Sequence, residues 1–129
     1  MGARMAKKED FVELHKLILR IFPQSGARIS EKDGFFVVDG KDGLAGFAHY
    51  TEDGKRIILR GFGVAEGERK HGYGGMLLDA LLAHAGKAKK SVFLKAKIRN
   101  PAVRLYCSKG FCFKRLKGET LTMVFRIAN

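Results

Sequence analysis

The stretch that most restricts what this chain can fold into is Arg69-Lys70-His71-Gly72-Tyr73-Gly74-Gly75, because of what it joins. Before it runs the strand-like Ile57-Ile58-Leu59, and straight after it the helical pattern Met76-Leu77-Leu78-Asp79-Ala80-Leu81-Leu82. A strand, a basic glycine-dense turn and a helix can bind an anion through backbone alone. The N–H groups of a helix's first turn have no intrahelical partner, and the helix dipole favours negative charge beside them. Glycines let that backbone approach a bulky phosphate without Cβ atoms in the way. The plain alternative is a strand-to-helix turn that needs its glycines for geometry only.

The spacing excludes the two commonest phosphate loops. No Gly-Lys-Ser/Thr ending is present, as a triphosphate loop requires. The dinucleotide pattern Gly-x-Gly-x-x-Gly is poorly met too, since Gly72, Gly74 and Gly75 are too close together.

Around this unit the chain reads as one domain, residues 1–129. Ala3 to Ala6 suits a short edge strand. Phe11, Leu14, Leu17, Ile18 and Ile21 recur at helical spacing between about Lys8 and Phe22, and Pro23 stops them. A polar loop follows, to about Asp33. Phe35–Val38, Leu44–Tyr50 and Arg56–Val64 are strands separated by the turns Asp39-Gly40, Lys41-Asp42-Gly43 and Glu52-Asp53-Gly54. Gly61 and Gly63 inside the third strand mark a bulge or a place where something lies against the backbone. A helix from about Gly72 to Ala85 precedes a buried strand, Ser91 to Ala96. Asn100 is an N-cap, Pro101 suits the first helical position, and Gly110 ends the short helix that begins at Ala102. Phe111–Leu116 and Leu121–Ile127 are the last strands. The order β-α-β-β-β-α-β-α-β-β predicts an α/β fold, a mixed central sheet of about six to seven strands flanked by helices.

The net charge is +12, from 25 Lys and Arg against 13 Asp and Glu. Such an excess attracts polyanions: nucleic acid, a phosphate-rich cofactor or an acidic substrate. The basic residues are spread along the chain, so general surface charge explains them as well. Hydrophobic residues make up 46% and charged residues 29%, as in a soluble globular protein, and the apolar runs are too short for a membrane span. The first residues lack the apolar core of a secretory signal, so the cytoplasm is the expected address. Cys107 and Cys112 read as free thiols, and four scattered histidines with this cysteine spacing predict no metal site.

Two motifs then coincide. Arg69, Gly72 and Gly74, with Val64 five residues upstream, match Gln/Arg-x-x-Gly-x-Gly/Ala; Asn100 to Tyr106, with Gly110 and Phe111, match Asn-Pro-Ala-Val-Arg-Leu-Tyr-x-x-x-Gly-Phe. Together they resemble the GCN5-related N-acetyltransferase (GNAT) superfamily, and the opening Arg4 to Asp10 resembles that family's first strand and helix start. The resemblance spans nearly the whole chain. It implies an acetyltransferase that moves an acetyl group from acetyl-CoA to an amine acceptor by direct transfer. It places the CoA pyrophosphate on the loop Lys70, His71, Gly72, Tyr73, Gly74 and Gly75, with charge from Arg69 and Lys70. The strand end Phe62, Gly63 and Val64 would offer backbone groups to the pantetheine amides, and an N–H there would polarise the thioester carbonyl. Tyr106 would be the general acid for the departing thiolate, and Asn100 would cap its helix and contact the cofactor.

The general base has no clear candidate. Lys95 stands where some relatives carry a glutamate, five residues before the motif asparagine. His49 is a lone histidine on a strand, and Glu66 and Glu68 suit solvated surface. A catalytically silent acyl-CoA binder keeps every feature above except turnover. A small basic nucleic-acid-binding module is the weaker rival, because Phe35, Phe36, Phe93 and Phe113 sit in core-like strand patterns instead of on a basic face. The acceptor is not legible, and a homodimer is left open.

Overall fold

The computed structural model describes residues 2–25 and 33–127. The elements run β1 (Arg4–Met5), a 3-10 turn (Lys8–Asp10), α1 (Phe11–Ile21), β2 (Asp33–Gly40), β3 (Gly43–Glu52) and β4 (Arg56–Val64). A second 3-10 turn (Glu66–Glu68), α2 (Tyr73–Ala88), β5 (Ser91–Lys97), α3 (Ala102–Ser108), β6 (Cys112–Lys117) and β7 (Thr120–Phe125) complete the chain. This is the order expected from the sequence. The polar loop expected after Pro23 lies largely outside the described residues.

All seven strands form one sheet in the order β1-β2-β3-β4-β5-β7-β6. Every neighbouring pair is antiparallel except β4 and β5, which α2 connects as a parallel crossover. Helices cover the two faces unequally. On one, α2 presses Leu77, Leu78, Leu81 and Ala85 onto Phe36, Ala48, Tyr50, Ile57, Leu59, Leu94 and Met123, and Tyr106 of α3 and the neighbouring Phe111 extend this core. On the other, α1 seats Leu14, Leu17 and Ile18 against Phe35, Val37, Leu44 and Phe47. Each fully buried aliphatic side chain contributes roughly 1.5–3 kcal/mol, which is why the helix-spaced apolar residues decide where α1 and α2 lie. Glu13 fixes the start of α1 by accepting the Leu44 backbone N–H at 2.6 Å.

One aromatic expectation fails here. Phe113 is 65% exposed, and every residue of β6 is exposed, because β6 is an edge strand with neither face covered. Alternation in its sequence reflects strand geometry without burial.

Candidate active site

β4 carries the site's main irregularity. His49 of β3 faces Gly61, while the next residue, Tyr50, faces Leu59, so Arg60 is an unpaired extra residue in β4. Beyond the bulge Gly63 turns toward α1: a Cβ there would lie 3.0 Å from Ile21 Cγ2 and 3.2 Å from Phe22 Cε2. At Gly61 a Cβ would lie 3.3 Å from Phe47 Cε2. What rests against this backbone is therefore the protein's own apolar packing. Phe62 and Val64 turn to the opposite face and pack on the α2 core.

Pairing between β4 and β5 runs from Arg56↔Ser91 to Leu59↔Leu94 and ends at the bulge. On their outer sides both strands stay paired, β4 with β3 as far as Val64 and β5 with β7 as far as Lys97. The sheet is thus parted between its two central strands. The Ala65 N–H donates to Ala45 O at 2.8 Å. By strand alternation Phe62 and Val64 turn their backbone groups away from β3, toward the parting.

A cavity of about 150 Å³ occupies the parting, walled by Leu59, Arg60, Phe62, Leu94, Lys95, Asn100 and Tyr106 among others. Asn100 caps α3: its Oδ1 accepts the Ala102 N–H at 2.9 Å. That bond leaves the amide NH₂ as a donor on the cavity wall. Tyr106 is buried against Phe62 and Phe111, with ring centroids 5.7 and 5.8 Å away. Desolvation pushes its phenol up to about 12, so it stays protonated at neutral pH.

The glycine loop lies next along β4. Lys70 (φ 71°) and Gly72 (φ 76°) take left-handed backbone, and Met76 N–H donating to Gly72 O at 3.1 Å is the first bond of α2. No side chain caps the helix, so the N–H groups of Tyr73, Gly74 and Gly75 lie outside its bonding. The three glycines prove unequal. Gly72 supplies positive φ with open space around it, whereas a Cβ at Gly74 would lie 3.0 Å from Leu105 Cδ2 and 3.2 Å from Phe62 Cζ. Gly74 is small so that α2 can meet α3 and β4, a packing need that stands beside the expected clearance for a ligand. Arg69 folds back toward the strand end, its Nε 3.4 Å from Val64 O, and His71 packs on Tyr73 with ring centroids 5.4 Å apart.

Three basic residues join the site that motifs did not single out. Arg60 enters through the bulge. Arg20 shares a recess of about 230 Å³ with Arg69. Lys109 brings its Nζ within 3.5 Å of where a Gly75 Cβ would stand, while pairing with Asp79 at 2.9 Å. Arg20 and Lys109 had no legible signal, since each depends on how α1 or α3 docks.

His49 stacks on Phe35 (4.4 Å, 10°), and its Nε2 lies 3.1 Å from Asp33 Oδ1 without hydrogen-bond alignment. It stands behind Gly61, outside the cavity wall. No described carboxylate lines the parting.

A parted β4–β5 pair, free helix N–H groups at one mouth and a tyrosine in the wall define a class. The chain belongs to the acetyltransferase (GNAT) family, whose model matches residues 5–111. Its fold is similar to that of the ribosomal-protein-S18-alanine N-acetyltransferase from Escherichia coli (17% identity, TM-score 0.83, covering 98% of this chain and 95% of that one). It also resembles Arabidopsis thaliana Naa50, solved with the bisubstrate analogue CoA-Ac-MVNAL (18%, 0.77, 96% and 97%). A third likeness is a GNAT family acetyltransferase from Elizabethkingia anophelis with acetyl-CoA bound (12%, 0.75, 97% and 98%). No curated protein matches the chain.

Proposed function

We infer that this chain is an acetyl-CoA-dependent N-acetyltransferase acting on a primary amine, with the reaction centre in the parting between β4 and β5. The observation that carries this reading is that pairing stops at Leu59↔Leu94 while both strands keep their outer partners. The opening is thus built into the sheet and gives a ligand amide unpaired strand backbone to bond. The residues fit CoA in kind: free N–H groups of Tyr73, Gly74 and Gly75, with Arg69, Lys70 and Lys109 nearby, suit phosphates. Phe62 and Val64, whose backbone turns toward the parting, suit the pantetheine arm; Gly63, expected from the sequence to share that role, pairs with Phe47 of β3 between them.

Acetyl-CoA would supply an activated acetyl thioester. Transfer forms a C–N bond and breaks the C–S bond; the nitrogen loses a proton and the sulfur gains one, so CoA leaves as a thiol. Tyr106 faces that sulfur's side of the cavity in this reading. Full proton donation from a phenol at about 12 to a thiolate of pKa roughly 8.5 is uphill. Its hydroxyl therefore acts by hydrogen-bonding the sulfur as charge builds, and water supplies the proton that turns the departing thiolate into the thiol. The Asn100 amide orients the cofactor from the start of the same helix. Calorimetry with CoA, then thiol release from acetyl-CoA across amine classes, tests the reading. Binding without turnover of any amine would leave a silent acyl-CoA binder, and absence of binding would end both.

A further inference from the structure

On the α1 side of the sheet the parting opens into a second, larger cavity of about 380 Å³, which the transfer reading does not use. Arg56, Arg60 and Lys95 wall it, with Phe93 and Thr122. Lys114 adds a fourth cation from β6: its Nζ lies 5.3 Å from the Phe93 ring centroid, and Arg56 Cζ lies 5.6 Å from the same ring. No carboxylate among the described residues lines this cavity. Among the described residues none of the four cations forms a side-chain ion pair, although the exposed Asp53 feels the charge of Arg56, whereas Arg4 pairs with Asp10 and Asp39, Lys90 with Glu52, and Lys109 with Asp79. Arg60 is held only through Nε, which donates to Thr51 Oγ1 at 3.0 Å, leaving the rest of its fork free.

A chain with this charge has unpaired cations elsewhere on its surface. These differ in that Arg56, Arg60 and Lys95 wall one concave, partly aromatic cavity, with Lys114 against its Phe93, and the cavity shares Leu59, Arg60, Leu94 and Lys95 with the parting. Like charges held this way create a field that selects against cations and for anions. Resting on the transfer reading, we propose that the acceptor is an amine bearing a carboxylate close to the reacting nitrogen. The carboxylate settles among Arg56, Arg60, Lys95 and Lys114 while the amine enters the parting. Guanidinium groups hold carboxylates with two parallel hydrogen bonds, which fixes the direction of entry. The same cations disfavour an ammonium and so hold the nitrogen in its neutral, nucleophilic form. Its proton passes to water, and a wall without a carboxylate base is then no obstacle. Lys95, standing where some relatives carry glutamate, has become a specificity residue.

The test titrates the protein, with CoA present, with matched free-N-terminal tetrapeptides carrying Glu, Gln or Lys at the second position, and with free glutamate. The same compounds are then offered with acetyl-CoA and thiol release is followed. The acidic peptide should bind best; Arg56→Gln and Lys95→Gln should each lower its advantage by roughly fivefold, as for a partly exposed ion pair, and salt should lower it too. Binding of free glutamate as tight as the acidic peptide's assigns a small acceptor, and binding of the peptide alone assigns a polypeptide N-terminus. Equal binding of the three peptides, or an advantage unchanged in both variants, overturns the proposal. Charge-selective binding without thiol release keeps the anion site and overturns the transfer reading instead.

Discussion

On the α2 side, the parting between β4 and β5 meets backbone: free N–H groups at the start of α2, the strand end at Phe62 and Val64, and a cap at Asn100. On the α1 side it meets side chains, with Arg56, Arg60 and Lys95 around Phe93. Backbone donors serve a ligand whose shape never changes, and they tolerate only glycine or a fixed cap at particular positions. Charged side chains on exposed strands can be exchanged one at a time without disturbing the fold. In the proposed reading, the difference puts chemistry and selectivity on opposite faces and encodes them at different levels of the chain.

The strongest challenge to this division is Tyr106→Phe, which removes one hydroxyl from the α2 side. A hydrogen bond to a developing charge is worth about 1.5–3 kcal/mol, so kcat should fall by roughly 10- to 100-fold with acetyl-CoA affinity nearly unchanged. With its phenol raised to about 12 by burial, the wild type should lose no activity through Tyr106 ionisation below about pH 11. A Phe variant with wild-type kcat would leave Tyr106 a packing residue.

Gly74→Val sharpens the contrast within the loop. Its new atoms would meet Leu105 and Phe62, and overpacking of this kind costs about 1–3 kcal/mol. Thermal unfolding should show Tm lowered by roughly 5–10 °C. Gly72→Ala has open space but positive φ, so it should be destabilised by about 1–2 kcal/mol through backbone strain alone. Equal Tm values for the wild type and the Gly74 variant would remove the packing role.

A smaller effect separates charge from backbone. Exposed cations at Arg69 and Lys70 are screened over about 8 Å at physiological ionic strength. CoA affinity should therefore fall several-fold between low and moderate salt, with dephospho-CoA less sensitive and pantetheine insensitive. Affinity independent of salt for all three would leave the N–H groups as the whole phosphate site.

The smallest effect is on acid stability, and both faces share in it. Arg4 hydrogen-bonds Asp10 and holds its carboxyl below the usual range; Lys90, then His84, do the same for Glu52 on the α2 side. A depressed carboxylate stabilises the fold above its unfolded pKa, about 4, and the contribution is lost as pH falls through the depressed value. Denaturant midpoints should be level from pH 7 to 5 and drop below about 4. Asp10→Asn should flatten part of that drop; a drop of unchanged size would exclude the Arg4 pair as its cause.

Legibility followed the same division. Apolar spacing placed α1, α2 and the strands β2 to β5 and β7, because their burial follows the geometry of the element. The glycine loop and the Asn100 helix were legible because left-handed backbone and capping restrict residue type. Phe113 misled, since alternation looks the same whether or not a helix covers the strand. The cation cluster was invisible: Arg56, Arg60, Lys95 and Lys114 come from three strands, and only the register of β4, β5, β7 and β6 brings them together. The packing need at Gly74 was not legible, because its neighbours Leu105 and Phe62 are distant in sequence.

The extra residue at Arg60 also changes the parity of β4. Ile57 and Leu59 are odd-numbered, Phe62 and Val64 even-numbered, yet all four face α2. β5 keeps its parity throughout, with Val92, Leu94 and Ala96 on that same face. Past the extra residue β4 and β5 are out of step by one: β3 follows the shift and stays paired with β4 as far as Val64, whereas the pairing of β5 with β4 ends at Leu94. The opening therefore coincides with a count in the chain. Substitutions along the walls leave that count unchanged, and only the deletion of a single residue would restore the parity of the two strands.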